Sequence, residues 1–145
     1  MKIQRATFDQ IDDMYRVELN SFSDPWGYDE YLMLFKSDLY DVFVSNEAGI
    51  INGLIVVMRI EPEAEILNIC VLPEYRNKKV ASSLLSYTLD KLRTEHFESV
   101  YLEVRESNIA AQSLYYKFGF QEYARRKSYY LNPSENAILM KKSIQ

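Results

Sequence analysis

The chain has one cysteine, Cys70, in 145 residues, which excludes an intramolecular disulfide framework and a thiolate zinc cluster. Glycine and proline occur four times each, too rarely for long structureless stretches. Long apolar runs are missing: the longest, Leu54 to Met58, is far too short to span a bilayer. Met1-Lys2 leads directly into mixed polar sequence without the apolar core of a signal peptide, so a cytoplasmic protein is expected. A basic excess is missing as well, with 17 Lys and Arg against 21 Asp and Glu and a formal net charge of −4. That argues against direct nucleic-acid binding, which needs a basic face to displace counterions. Any anionic ligand must then be drawn by local backbone dipoles rather than by the overall field. The sequence also lacks linkers, low-complexity tracts and internal repeats.

What is present suits one domain over residues 1–145, with 48% hydrophobic and 26% charged residues and twelve tyrosines able to line a groove as well as a core. Lys2 to Ala6 alternates as a short strand. Thr7 caps a helix on which Phe8, Ile11, Met14, Tyr15 and Leu19 sit near helical spacing, with Val17 off-phase. Ser21 to Gly27 breaks it at Pro25, and a second helix covers Asp29 to Ser37. Val42 to Val44, Ile50 to Ile60 and Glu65 to Val71 read as a meander of three strands, with Gly53 marking a bulge or a close approach. Val80, Leu84, Leu85, Thr88 and Leu92 place a helix from about Lys79 to Glu95. Ser99 to Val104 is β-rich, and a helix crossing to it would connect parallel strands. Asn108 caps a further helix that ends at Gly119, and Phe120 to Tyr130 with Ala137 to Lys141 close the fold as antiparallel strands. The order is β-α-α-β-β-β-α-β-α-β-β, a mixed α+β sheet.

The strand ending at Val71, the turn Leu72 to Lys79 with its Arg and Lys residues, and the helix after it form a physical anion site. First-turn N–H groups lack intrahelical partners and carry the positive end of the helix dipole. The small Ala81 allows a phosphate close to the backbone.

This turn resembles motif A of the GNAT superfamily of N-acetyltransferases, Arg/Gln-x-x-Gly-x-Gly/Ala after a strand ending in Val-x-Pro. Arg76 and Ala81 match the outer positions, whereas Lys79 stands where the pattern has Gly, and a Gly permits a backbone approach that a Cβ obstructs. The run Leu102-Glu103-Val104 through Asn108, Ala111, Leu114-Tyr115 and Gly119-Phe120 resembles the family's second motif almost throughout. Its Leu-Glu-Val-Arg-x-Ser-Asn-x-Ala-Ala form resembles the protein N-terminal branch, the RimI-type ribosomal-protein-alanine acetyltransferases and their archaeal relatives. Ser21-Phe22-Ser23-Asp24-Pro25-Trp26 and Arg126-Lys127-Ser128-Tyr129-Tyr130 are similar to the same branch.

The resemblance implies a GNAT fold, a mostly antiparallel sheet of about seven strands flanked by four helices, with acetyl-CoA as cosubstrate and no metal. Ile69, Cys70 and Val71 would offer backbone groups to the pantetheine arm. Arg76, Asn77, Lys78, Lys79, Val80 and Ala81 would hold the pyrophosphate, and Asn108 would contact the cosubstrate near its reacting end. Asn108 as a plain helix cap, and Arg76 and Lys78 as a solvated charged turn, are the plainer readings of those residues. Glu103 would be the general base, acting directly or through water, and Tyr115 the general acid, also against the cosubstrate. A tyrosine titrating near ~10 keeps its proton at neutral pH, whereas an α-amine near ~8 profits from a base. The plain alternatives are an ion pair of Glu103 with Arg105 and a core tyrosine.

A covalent route through Cys70 with His96 as base is disfavoured, because a cysteine in an apolar strand is usually inert core and His96 near a helix end is a dipole partner. The loop to Trp26 and the turn Tyr129 to Asn136 would flank the acceptor. Tyr129 and Tyr130 would hydrogen-bond a peptide, and Glu135 or Asp24 would receive a basic second residue. The expected activity is direct transfer of acetyl, in a ternary complex, to the N-terminal α-amine of a protein such as a ribosomal protein, by a monomer or homodimer acting away from membranes. The rivals are transfer to a small-molecule amine or lysine side chain, and a non-catalytic acyl-CoA-binding regulator.

Overall fold

A computed structural model describes residues 1–22, 24–131 and 134–145. Among them the chain runs β1 (Lys2–Arg5), α1 (Ile11–Leu19), α2 (Tyr28–Leu34), β2 (Tyr40–Glu47), β3 (Ile50–Ile60), β4 (Glu63–Val71), α3 (Val80–Thr94), β5 (Ser99–Arg105), α4 (Ile109–Lys117), β6 (Gln121–Tyr130) and β7 (Glu135–Ser143). The element order is the expected one, and the fold is mixed α+β.

The first helix departs in phase from its expected pattern. Phe8 to Gln10 form a 3-10 turn, so the α-helix starts only at Ile11. Phe8 and Leu19 are therefore 61% and 49% exposed, while Val17 is fully buried. Ile11, Met14, Val17 and Glu18 form the buried stripe, three and four residues apart, as a single α-helical face requires.

The strands lie in the order β1-β2-β3-β4-β5-β7-β6. Every neighbouring pair is antiparallel except β4 with β5. The helices form two layers. On one face α3 and α4 cover Phe43, Ile55, Ile66, Leu102, Val104 and Met140, and Tyr115 lies in this core. On the other face α1 and α2 pack Met14, Val17, Tyr31 and Leu34 against Val42, Val44, Leu54, Val56 and Cys70. This second layer reaches β4. Past it, Tyr101, Glu103 and Arg105 of β5 are half-exposed, alternating with the buried Val100, Leu102 and Val104.

The one parallel pair comes apart. Its register runs from Glu63↔Ser99 to Ile66↔Leu102, although β4 continues to Val71 and β5 to Arg105. On its other side β4 stays paired with β3, with Asn68 opposite Val56 and Ile66 opposite Val57, so Leu67 is an extra, bulged residue. A bulge bends its strand and increases the twist. β5 meanwhile stays bound to β7 along its whole length, Ser99↔Ser143 to Arg105↔Ala137. One strand follows β3 and the other follows β7, and a cleft opens between their C-terminal ends.

Gly53 on β3 serves close approach. A Cβ there would lie 2.8 Å from Val80 Cγ1, 3.2 Å from the Cys70 carbonyl oxygen and 3.3 Å from Leu84 Cδ1. The N-terminal end of α3 thus rests on the backbone of β3, beside the cleft. A bulge lies next to it as well, since Ser45 pairs with Gly53 and Asn46 with Ile51.

Candidate active site

The turn after β4 delivers the start of α3 to the mouth of the cleft. Pro73–Tyr75 form a 3-10 turn, Arg76 is extended, and Asn77 and Lys79 both adopt positive φ, 61° and 66°. Lys79 therefore takes the backbone conformation for which Gly is the usual residue, at a cost of about 1 kcal/mol. No side chain caps α3 and its first turn carries no acid, so the N–H groups of Val80, Ala81 and Ser82 point out of the helix start with the positive end of its dipole. Val80 is buried against Gly53 and Ala81 is half-buried.

The basic side chains of the turn are partly engaged. Arg76 Nε donates to the Val71 carbonyl at 3.1 Å, which folds the guanidinium onto the end of β4. The Lys78 ammonium lies 5.7 Å above the Tyr75 ring, while Asn77 is exposed. Ile69, Cys70 and Val71 occupy the stretch of β4 that has left β5. Burial, then the neighbouring Glu18, pushes the Cys70 thiol up, so it remains a neutral, poor nucleophile. His96 sits at the opposite end of α3 from Lys79, in a left-handed conformation. The structure does not bring Cys70 and His96 together.

Glu103 and Tyr115 approach the cleft from opposite faces of the sheet. Glu103 projects to the half-exposed face, with Arg126 Nη1 3.9 Å from its Oε1. Arg105, its partner in the plainer reading, pairs with Glu135 at 2.9 Å and lies over the Tyr130 ring at 4.5 Å. Tyr115 is 4% exposed and packs its ring edge-on to Phe120 at 5.9 Å. Burial, then Tyr130 and Cys70, holds its hydroxyl protonated. Tyr130 joins the two faces: burial and then the Glu103 charge raise its own pKa. Asn108 Oδ1 accepts the Ala111 N–H at 3.1 Å, so the capping role is realised.

A bulge in β6 places the tyrosine pair. Arg126 pairs with Ala137 and Tyr130 with Glu135, which leaves residues 127 to 129 looped out against Asn136. Ser128 takes φ 51° and donates its N–H to Asn136 Oδ1 at 3.0 Å. Tyr129 is thereby brought near Glu103, whose carboxylate, followed by burial, raises its pKa. The two rings meet edge-to-face at 5.1 Å.

The model of the Acetyltransferase (GNAT) family matches residues 9–120. The chain belongs to this family. It is 32% identical over 139 residues to the putative ribosomal protein bS18-alanine N-acetyltransferase of Bacillus subtilis, covering 95% of this chain and 92% of that one. It is likewise 32% identical over 153 residues to an N-alpha-acetyltransferase of Sulfolobus acidocaldarius, covering 96% of this chain and 90% of the other. Among solved structures, the ribosomal-protein-S18-alanine N-acetyltransferase of Escherichia coli superimposes with a TM-score of 0.94 at 27% identity, over 99% of this chain and 94% of that one. The protein is an acetyltransferase.

In this GNAT acetyltransferase the α1–α2 loop packs on the sheet face to which Glu103 projects, and Tyr129 of β6 lies near Glu103. Trp26 of the loop is half-buried, with its backbone N–H bound to Glu18 at 2.9 Å and its ring 5.6 Å from Tyr31. Ser23 of the loop motif, and Asn132 and Pro133 of the hairpin turn, lie outside the described residues. Glu135, expected to receive a basic acceptor residue, is instead tied to Arg105 and to the Ser107 N–H and hydroxyl at 3.0 Å each; Asp24 is exposed.

Three residues escaped the sequence reading. Glu65 stands on the same face as Glu103, opposite Tyr101, and burial followed by the Glu103 charge raises its pKa. Strand alternation alone places the two carboxylates on one face only once the parallel pairing is known. Gln112 Nε2 pins the β5–α4 loop through the carbonyls of Arg105 and Glu106, at 3.1 and 2.8 Å. Glu18 is buried under the α1–α2 loop.

Proposed function

We propose that this acetyltransferase moves acetyl from acetyl-CoA to the N-terminal α-amine of a protein, of the alanine-ended ribosomal kind that its relatives' names give, with residues 1–145 acting as one domain. The observation that carries the reading is the approach of Glu103 and Tyr115 to one cleft from opposite faces of the sheet. An acceptor arriving on the open face meets a base, and the cosubstrate on the α3 side meets an acid.

The residues present fit acetyl-CoA. The uncapped first turn of α3, behind two left-handed residues, offers N–H donors suited to a pyrophosphate. Beyond Ile66, among the described residues, β4 has no strand partner on its β5 side, so Ile69 to Val71 can offer backbone groups to an amide-containing arm. Arg76 through Ala81 and Asn108 complete the proposed holding residues. When bound, the cosubstrate supplies an acetyl group activated as a thioester.

The chain's own residues manage the protons. Glu103 takes one from the incoming ammonium, directly or through a water, because an α-amine near ~8 is mostly charged at neutral pH. Tyr115 keeps a proton at its hydroxyl on the far side of the cleft, where burial and its neighbours hold it. Tyr129 and Tyr130 line the acceptor's path and Trp26 borders it. A cytoplasmic location, and action without a metal, go with this reading.

The test is thiol release from acetyl-CoA across peptides of varied N-termini, with lysine ε-amines and polyamines alongside. Turnover confined to free α-amines supports the proposal. Turnover of only the side-chain or small amines refutes it. Binding of CoA with no change on combining Glu103→Gln with Tyr115→Phe would mark a regulator instead.

A further inference from the structure

We propose that Glu18 is a positioning residue, whose carboxyl group ties the α1–α2 loop to the bulge of β4 and so sets the loop-side wall of the acceptor groove. The acceptor part of this inference rests on the function proposed above.

Glu18 lies on the buried stripe of α1 and is 1% exposed. A carboxyl group in that position is costly unless its oxygens are hydrogen-bonded, and here each donor comes from a different element. Oε1 accepts from the Tyr31 hydroxyl of α2 at 2.5 Å and from the Asn68 amide of β4 at 2.6 Å. Oε2 accepts the backbone N–H of Trp26, in the loop, at 2.9 Å. Asn68 also reaches the Tyr31 hydroxyl at 3.2 Å, which closes the network. Tyr31 is fully buried, and burial, then Cys70 and Glu18, pushes its pKa well above the tyrosine range, so it stays a donor.

The place of this network gives it its role. Asn68 follows the bulged Leu67, where β4 leaves β5. Trp26, whose ring meets that of Tyr31 at a tilt of 53°, lies in the segment that leads from α1 to α2, on the same sheet face as Glu103. An apolar residue would fill the site equally well for packing alone. A group that accepts three directed hydrogen bonds fixes the loop relative to the cleft in one arrangement.

Trp26 is the sole tryptophan of the chain, so intrinsic fluorescence reports on the loop directly. Glu18→Gln keeps the size but turns one acceptor into an NH₂ that faces donors. With the fold intact by circular dichroism, we expect red-shifted Trp26 emission, greater iodide quenching and an acceptor-peptide KM raised about tenfold or more, while acetyl-CoA KM and kcat at saturating acceptor stay within about twofold. Tyr31→Phe removes one donor and keeps the ring, and should shift both readouts the same way by less. Unchanged emission and acceptor KM in folded Glu18→Gln would overturn the proposal. So would equal losses in both KM values and kcat, which mark general damage. If Glu18→Gln does not fold, Tyr31→Phe and Asn68→Ala carry the same test with the same criteria. If the wild type acetylates no N-terminal peptide, the functional reading fails, and Trp26 emission alone decides for or against Glu18.

Discussion

Replacing Gly53 by Ala tests the contact that seats the start of α3 on the sheet. The new Cβ would meet Val80 Cγ1 at 2.8 Å, closer than non-bonded carbon atoms approach, and the Cys70 carbonyl oxygen at 3.2 Å. Val80 is the first residue of α3 and Cys70 lies on the free stretch of β4, so relief requires one of them to move. Overpacking of this kind costs about 1–3 kcal/mol. Gly53 has no positive φ, so Ala adopts its backbone and recovers roughly 0.5–1 kcal/mol of chain entropy. The net loss lies between about 0 and 2.5 kcal/mol and centres on ~1 kcal/mol, or ~2–4 °C in Tm for a chain of this size. Calorimetry measures that loss, and a CoA titration should show weakened binding as the start of α3 lifts from the sheet. Adding Val80→Ala removes the clashing methyl, so the double variant should be more stable than the sum of the two single losses predicts. A Gly53→Ala protein as stable as the wild type, with strictly additive behaviour in the double variant, would refute the reasoning.

The remaining expectations concern single side chains. Lys79→Gly removes a left-handed lysine at φ 66° and should stabilise by at most about 0.5 kcal/mol, net of the added freedom of the unfolded chain, in thermal melts. Glu103→Gln should lower kcat/KM for the acceptor about 10²–10⁴-fold with CoA affinity unchanged, and should bring the Tyr129 hydroxyl down toward its ordinary pKa, read by ultraviolet titration. Glu65 has a folded pKa raised above the ordinary 4.5 by burial and by Glu103, so its ionisation opposes folding at neutral pH. That penalty is fully present above the folded pKa and disappears as pH falls through it toward 4.5. Glu65→Gln should therefore stabilise at pH 7, and its advantage over the wild type should shrink on acidification, as measured by denaturant unfolding across that range.

Local chemistry made most of the fold legible in the sequence. The alternation of β5, the helical spacing of Val80, Leu84, Leu85 and Leu92, and the Asn108 cap each depend on neighbours within a few residues, and each element stands where it was expected. The glycine at position 53 announced a bulge or a close approach, and the structure has the close approach at it and a bulge beside it. The motif residues Arg76 to Ala81 and Glu103 to Tyr115 were legible by their resemblance to the GNAT family.

Where local pattern and tertiary context disagreed, the tertiary structure decided. Val17 is buried and Phe8 exposed because a 3-10 turn delays the helix and rotates its buried face, a choice set by packing on β3 and β4. Lys79 keeps a left-handed backbone because the turn must pass from β4 to an α3 seated on Gly53, and that seat outweighs about 1 kcal/mol of strain. Glu18 carried no local signal, since its three donors are supplied by α2, the loop and β4, far apart in the chain. The cleft itself arises from two unlike pairings, β4 with β3 and β5 with β7, and no segment of the chain contains both. By resemblance the sequence singled out Glu103 and Tyr115; only long-range pairing, which no local pattern contains, set them on opposite faces of one sheet.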